Sequence, residues 1–169
     1  LDAPAGVQAD LARLVRLAGL TPAPGVAEAT VVLLVSDGQP SRARLDGWVR
    51  DGLPHLCVRA HDGVLTLGPY VVPGVTACLR CVDAHLGESD PRRPVIVEQL
   101  AAASAHEPVD DQLRALALAW AVQDLATAAE GHRPSSWSAT VEIGPDLATT
   151  RRVWTRHPHC GCVWDQWPL

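Results

Sequence analysis

Methionine is absent from all 169 residues, and the chain opens on Leu1. The expectation is a piece of a longer parent protein whose N-terminal portion is missing. Long apolar runs are also lacking. The longest clean one, "TVVLLV" from Thr30 to Val35, falls far short of the roughly 20 residues that span a bilayer, which excludes a helical anchor and a membrane partner. A one-sided basic field is missing too: the net charge is -5, and Arg13, Arg16, Arg42, Arg44, Arg92, Arg93, Arg151, Arg152 and Arg156 are scattered. Nucleic acid is thereby excluded as a partner. Finally, a disulfide framework does not fit. The five cysteines are an odd number and four sit in two tight pairs, a pattern of metal binding in a reducing compartment, so the cytoplasm is the expected location. What is present, 47% apolar residues in this length, suffices for one soluble domain with a real core.

The pattern along the chain alternates between strand and helix. Asp2 and Pro4 open a one-faced helix on Val7, Leu11, Leu14, Val15 and Ala18, closed by Gly19. "TVVLLV" is too short for a buried helix and predicts a central strand covered on both faces, in parallel-sheet context. Leu45, Trp48 and Val49 mark a short helix ended by Gly52, and "PHLCVRA" a second strand. "HDG" then turns into the extended segment "VLTLGPYVVPG". Asp110 to Glu130 is the strongest helix, with Asp at its start, good helix formers within and Gly131 behind it. "WSATVEIGPDLATTRRVWTR" alternates about a Gly-Pro-Asp turn and predicts a hairpin that delivers the chain to "HPHCGC". No internal repeat or low-complexity tract occurs. The predicted class is α/β: a Rossmann-like, partly parallel sheet with flanking helices, a C-terminal antiparallel hairpin and a structural zinc site, in a single truncated domain over 1–169.

The chemistry concentrates in the cysteine pairs. Cys78 and Cys81 have the C-x-x-C spacing that turns two thiolates onto one tetrahedral metal, and Cys160 and Cys162 supply a second close pair after the hairpin. The four sulfurs are the expected ligands of a structural zinc ion. The C-x-C spacing is tight, which leaves His157 and His159 as competing ligands. Closing a loop of this length costs on the order of 4 kcal/mol, whereas structural zinc contributes roughly 10 to 16 kcal/mol in peptide models, so the metal outweighs closure. A redox pair at a helix start is the alternative reading of "CLRC", and plain buried thiols another. Redox chemistry leaves the second pair unexplained, and four thiolates leave no open position for a catalytic zinc.

Other candidates have blander readings. Cys57, inside an apolar strand, is a buried small hydrophobe. Asp83 and His85 form a solvated pair beside the knuckle, since no nucleophile accompanies them. His55, His61, His106 and His132 carry no ligand spacing, and Arg92/Arg93 and Arg151/Arg152 are solvated surface. Asp37 stands at the carboxyl end of the first strand, where open α/β sheets place ligand groups, although Asp before Gly38 also suits a turn. No catalytic residue is expected.

The order of strand-"SDG", helix, "PHLCVRA", "GPYVVPGVTACLRCVDAH", alanine-rich helix and "RHPHCGC" resembles the ThiF/MoeB superfamily of ubiquitin-activating-type adenylyltransferases. Within it the chain is most similar to the Ocin-ThiF-like branch, partner proteins of YcaO cyclodehydratases in thiazole/oxazole-modified microcin biosynthesis, where ribosomal bacteriocin-type peptides are modified. The resemblance runs from about Thr30 to Cys162 and implies a Rossmann-like domain, a structural zinc on Cys78, Cys81, Cys160 and Cys162, a tendency to form homodimers, and presentation of a precursor (leader) peptide to a YcaO-type cyclodehydratase. Asp37 matches the superfamily's magnesium-proximal aspartate, as a relict. The glycine-rich phosphate loop of adenylating members does not appear: "DAPAGVQADL" offers only Gly6. Leu20 to Ala29 leaves no room for the βα units that bring ribose- and phosphate-binding groups. The implied role is a non-catalytic zinc-stabilised scaffold within a cyclodehydratase complex, without ATP. The alternative is an ATP-dependent adenylyltransferase activating a peptide or sulfur-carrier carboxylate. The branch's winged-helix-like leader-recognition domain is expected in the absent N-terminal portion, since no stretch here resembles it.

Overall fold

The computed structural model describes residues 1–103 and 108–162. His106 lies outside the described residues. Five strands form one sheet in the order β1-β2-β3-β4-β5: β1 (Val32–Asp37), β2 (His55–His61), β3 (Val64–Val71), β4 (Ala139–Ile143) and β5 (Thr149–Val153). The β1/β2 pair is parallel and every other pair antiparallel. The expected α/β class with a partly parallel sheet, flanking helices and a terminal hairpin is therefore observed, with a single parallel pair.

Helices cover both faces. On one side α1 (Ala5–Leu17) and α5 (Asp111–Ala129) press Leu11, Val15, Leu113, Ala117, Leu118 and Ala121 onto Leu33, Val35, Leu56, Val58, Leu65, Leu67, Val141 and Ile143. On the other, α2 (Arg42–Arg50) and α3 (Leu79–Gly87) bring Leu45, Trp48 and Leu79 against Val32, Leu34 and Cys57. Because side chains alternate along a strand, β1 sends Leu33 and Val35 one way and Val32 and Leu34 the other, which is why its sequence is an unbroken apolar run.

That run does not mark a central strand. β1 is the first strand of the sheet, and burial on both faces comes from the two helical layers rather than from two strand neighbours. Its outer edge is closed by Asp2, whose N–H donates to Leu33 O (2.9 Å) and whose carbonyl accepts from Val35 N–H (2.7 Å). Strand β2 on one side and the single bridging residue Asp2 on the other therefore take up backbone groups of β1.

Helix α5 begins as its sequence predicts. The Asp110 carboxylate accepts from the Gln112 and Leu113 N–H groups (2.8 and 3.2 Å), the N-cap arrangement that satisfies orphan donors. A further helix, α4 (Arg93–Ala102), is not predicted by apolar periodicity. Only Val97 of it is buried, so its sequence carries no one-sided stripe, and the prolines in "DPRRPV" disguise its start, although Pro is acceptable in a first turn.

Gly68, in the "GPYVVPG" segment, is a position where glycine is required. Its φ is +92°, and a Cβ there would lie 2.3 Å from Ala139 O and 3.0 Å from the Ser136 side chain. The β3 backbone thus runs tight against the start of β4. Gly68→Ala is expected to destabilise the domain by roughly 3 kcal/mol, measured as a lowered midpoint in urea unfolding against a Gly63→Ala control, where open space surrounds the site and only the φ penalty applies.

Candidate metal centre

The first cysteine pair is positioned by the exit from β3. Thr76 Oγ1 accepts from Val72 N–H (2.7 Å) and donates to Tyr70 O (3.1 Å), which folds "VPGVT" into a compact turn. Ala77 N–H then donates to Ser138 Oγ (3.0 Å), tying the turn to β4. Cys78 follows as the N-cap residue of α3, with Cys81 in its first turn, so the C-x-x-C spacing sets both sulfurs at one helix end.

The second pair arrives from β5. Trp154 is buried, donates from Nε1 to Thr140 Oγ1 (2.9 Å) and lies beneath the Arg152 guanidinium at 4.1 Å. Beyond it, Cys160 N–H donates to His157 O (2.9 Å), and the Arg156 guanidinium donates to Cys162 O. The arm is thus turned back onto α3.

There the four sulfurs converge. Sγ of Cys78 lies 3.7 Å from Cys81 and 3.6 Å from Cys160, and Sγ of Cys81 lies 3.3 Å from Cys162; all four lie within 4.8 Å of one another. A tetrahedron with metal–sulfur bonds of about 2.3 Å has edges of about 3.8 Å, while a disulfide needs about 2.05 Å. The spacing suits ligands of one metal ion and not disulfides. Cys78, Cys81 and Cys160 are buried and Cys162 half-buried. Thiol hydrogen bonds divide the quartet. The sulfur of Cys160 pulls Cys81 and Cys162 down, while Cys78 and Cys160 are pushed up, chiefly by their bonds to Cys160 and Cys162 respectively. Four thiols enclosed at this spacing form a set that a cation completes by displacing their protons.

His157 is placed elsewhere. Its Nδ1 accepts from His159 N–H (3.1 Å), so Nε2 carries the proton that faces Glu88 Oε1 (3.1 Å). His85 Nε2 faces the Thr155 carbonyl (3.1 Å), which only accepts. His85, Glu88 and His157 form a second close group, but both Nε2 atoms present protons rather than lone pairs. The group is a hydrogen-bonded strut that fastens the C-x-C arm to α3.

Asp83 is not solvated. It is buried and takes a two-pronged ion pair from Arg42, Nε to Oδ2 at 2.6 Å and Nη2 to Oδ1 at 3.1 Å, with Arg93 Nε at 3.5 Å. Arg93 is therefore only part of the solvated surface expected of it, while Arg92 stays exposed. Arg42 is 1% exposed and also donates to Pro40 O and Gln39 Oε1. Sequence reasoning missed it, because an arginine at the start of a short polar helix gives no signal of burial. Buried Arg59 donates to Gly68 O (3.0 Å) and is pushed down to about 10 by burial and then by Arg42. Cys57 is buried as predicted, its thiol pushed up to about 11 by burial, which makes it a poor nucleophile.

Asp37 ends β1 as predicted but is not alone. Arg114 of α5 donates from Nη1 to its Oδ1 at 2.7 Å. The carboxylate borders an open cleft of about 480 Å³ shared with Asp2, Ser36, Gln39, Ser41 and Arg44.

No family model matches the chain, and no curated protein matches it. Solved structures do. The heterocyclase TruD superposes with a TM-score of 0.72 at 21% identity, over 94% of this chain and 25% of that one. The fold is shared. A heterocyclase in complex with substrate and cofactor gives 0.68 at 19% identity, over 96% and 24% of the two chains, and MccB of E. coli gives 0.62 at 18%, over 85% and 41%. The chain spans about a quarter of the length of those heterocyclases and about two fifths of MccB. Among the described residues no helix is long and apolar enough to cross a membrane.

Cys78→Ser and Cys160→Ser are each expected to remove bound metal, from one ion per chain to none, and to lower the melting temperature, read by elemental analysis and calorimetry. His159→Ala is expected to leave metal stoichiometry unchanged; loss of the ion in that variant would contradict a four-sulfur set.

Proposed function

We propose that this domain is a non-catalytic, zinc-stabilised ThiF-like scaffold that helps present a ribosomal precursor peptide to a YcaO-type cyclodehydratase for azoline and azole formation. The observation that carries the reading is the convergence of all four paired cysteines into one quartet, which leaves only Cys57, buried and poorly ionised, as a thiol outside it. Cys78, Cys81, Cys160 and Cys162 would hold the ion. Bound zinc would supply a cross-link between the start of α3 and the arm that follows β5, not an electrophile, because four thiolates fill its coordination. A zinc ion with four thiolates carries two net negative charges. Arg42, Arg80 and Cys160 border one small cavity of about 200 Å³ together with Asp83 and Glu98, so guanidinium charge stands on the same cavity as one of the four ligands.

Likeness to TruD and to the substrate-bound heterocyclase supports a place in azole-peptide biosynthesis. Asp37 favours the second reading, ATP-dependent adenylyl transfer, since it lies in a cleft at the carboxyl end of β1 and E. coli MccB has been solved with ATP at a TM-score of 0.58. Against it, Arg114 already neutralises Asp37, where a magnesium ion would need an open carboxylate, and the α1 N-terminus has Pro4 as its cap residue and no side-chain cap in place of a glycine-rich loop.

The chain mixed with ATP, magnesium and a peptide carboxylate is expected to show no exchange of pyrophosphate into ATP, and to be retained by an immobilised YcaO-type cyclodehydratase equally well with Asp37→Asn. Exchange that disappears in Asp37→Asn would overturn the scaffold reading in favour of the enzyme.

A further inference from the structure

We propose that the open edge of β5 is a docking strand for an extended acidic peptide segment, which adds to the sheet as a sixth strand. This inference stands on the sheet alone and does not rest on the zinc or the scaffold reading.

The ladder fixes which backbone groups are available. Trp154 N–H donates to Ser138 O (2.7 Å) and Gly144 N–H to Ala148 O (2.9 Å), and the β4/β5 register pairs Thr140 with Arg152 and Glu142 with Thr150. Hydrogen-bonded and non-bonded positions alternate in an antiparallel pair. Ala148, Thr150, Arg152 and Trp154 therefore face β4, while the N–H and C=O groups of Thr149, Arg151 and Val153 point outward. Among the described residues no strand pairs with that side, and all five residues of β5 are exposed. A strand edge of this kind is a template for β-augmentation, in which main-chain bonds supply affinity and alternate side chains supply selectivity.

Charge selects the occupant. The strand reads Thr-Thr-Arg-Arg-Val, with two guanidinium groups and no acid, on a chain whose net charge is -5. Arg151 and Arg152 fall on opposite faces of the sheet. Arg152 lies over Trp154, and Arg151 is steadied by donating from Nε to Ser135 O (3.0 Å), so each face of an added strand meets a cation. A second copy of this chain is a poor fit, because a two-fold pairing of β5 with itself sets arginines opposite or diagonal to arginines, and like charges across a ladder are unfavourable. Arginines also guard an edge against chance pairing. That guard repels basic strands and other copies, and it attracts an acidic one. The strand has no proline, and its register with β4 runs unbroken without a bulge, so among the described residues nothing else blocks the edge.

The test uses a fluorescein-labelled peptide in which Glu alternates with Val, the same peptide N-methylated at alternate backbone amides, and a version with Lys for Glu. The Glu peptide is expected to bind by fluorescence anisotropy, to slow amide hydrogen exchange at Thr149, Arg151 and Val153, and to weaken about tenfold or more in the double variant Arg151→Glu/Arg152→Glu. The N-methylated and Lys peptides are expected not to bind. Protection of the Gly144 and Trp154 amides reports whether the variant's hairpin is intact, and the N-methylated peptide tests strand pairing on the unaltered chain. Absence of binding, equal binding of the N-methylated peptide, protection only at other amides, or concentration-dependent self-association abolished by the double variant would each overturn the proposal.

Discussion

Four sulfurs from two pairs far apart in sequence, Cys78 with Cys81 and Cys160 with Cys162, meet at the N-terminus of one short helix, and the geometry of that region depends on their staying together. The Cys78–Cys81 knuckle is held by the Thr76 turn and by Ser138, and the Cys160–Cys162 arm by Trp154, His157 and Arg156. Between the pairs run α4, α5 and the hairpin, so a bond at the quartet closes a loop containing half of the fold. The small cluster around it, Val71, Ala77, Val82 and Trp154, has few large apolar side chains. Such a cluster cannot by hydrophobic burial alone repay the entropy of ordering the arm, and a cross-link removes much of that entropy from the unfolded state.

Buried charge forms the second layer of the same region. Arg42 enters from α2 and Asp83 from α3, and their two-pronged pair locks these helices together beneath the sheet. Desolvating such a pair is costly, so it is poor evidence of net stability. Removing either partner would leave the other charge stranded, which makes the pair a strong determinant of where α3, and with it the knuckle, can sit. On the opposite face Asp124 plays a comparable part. Its carboxylate accepts from the N–H groups of Ser135 and Ser136 (3.0 and 2.9 Å) and from both hydroxyls, fixing the point at which the chain leaves α5 and enters β4.

Local signals made much of this legible from the residues. The cap at Asp110, the glycine after α5, the "HDG" turn and the alternating hairpin each act within a few residues, and each element lies where its signal stands. The cysteine pairs were readable because close spacing in sequence marks candidate ligands, and the fold brings all four sulfurs within 4.8 Å of one another. What stayed hidden depends on distant partners. The apolar run of β1 looked central because burial on both faces reads alike whether helices or strands cause it, and only the Asp2 bridge reveals how its edge is closed. Asp83 looked solvated because its partner lies 41 residues away. Asp37 looked solitary until Arg114, 77 residues on, was brought beside it. Helix α4 escaped because it buries almost nothing.

X-ray absorption at the metal edge of the purified chain bears most directly on the sulfur clamp. The expected result is a zinc ion surrounded by four sulfur scatterers at about 2.3 Å with no nitrogen or oxygen in its nearest shell. A mixed nitrogen and sulfur shell, or protein that folds with full stability while holding no metal, would contradict it.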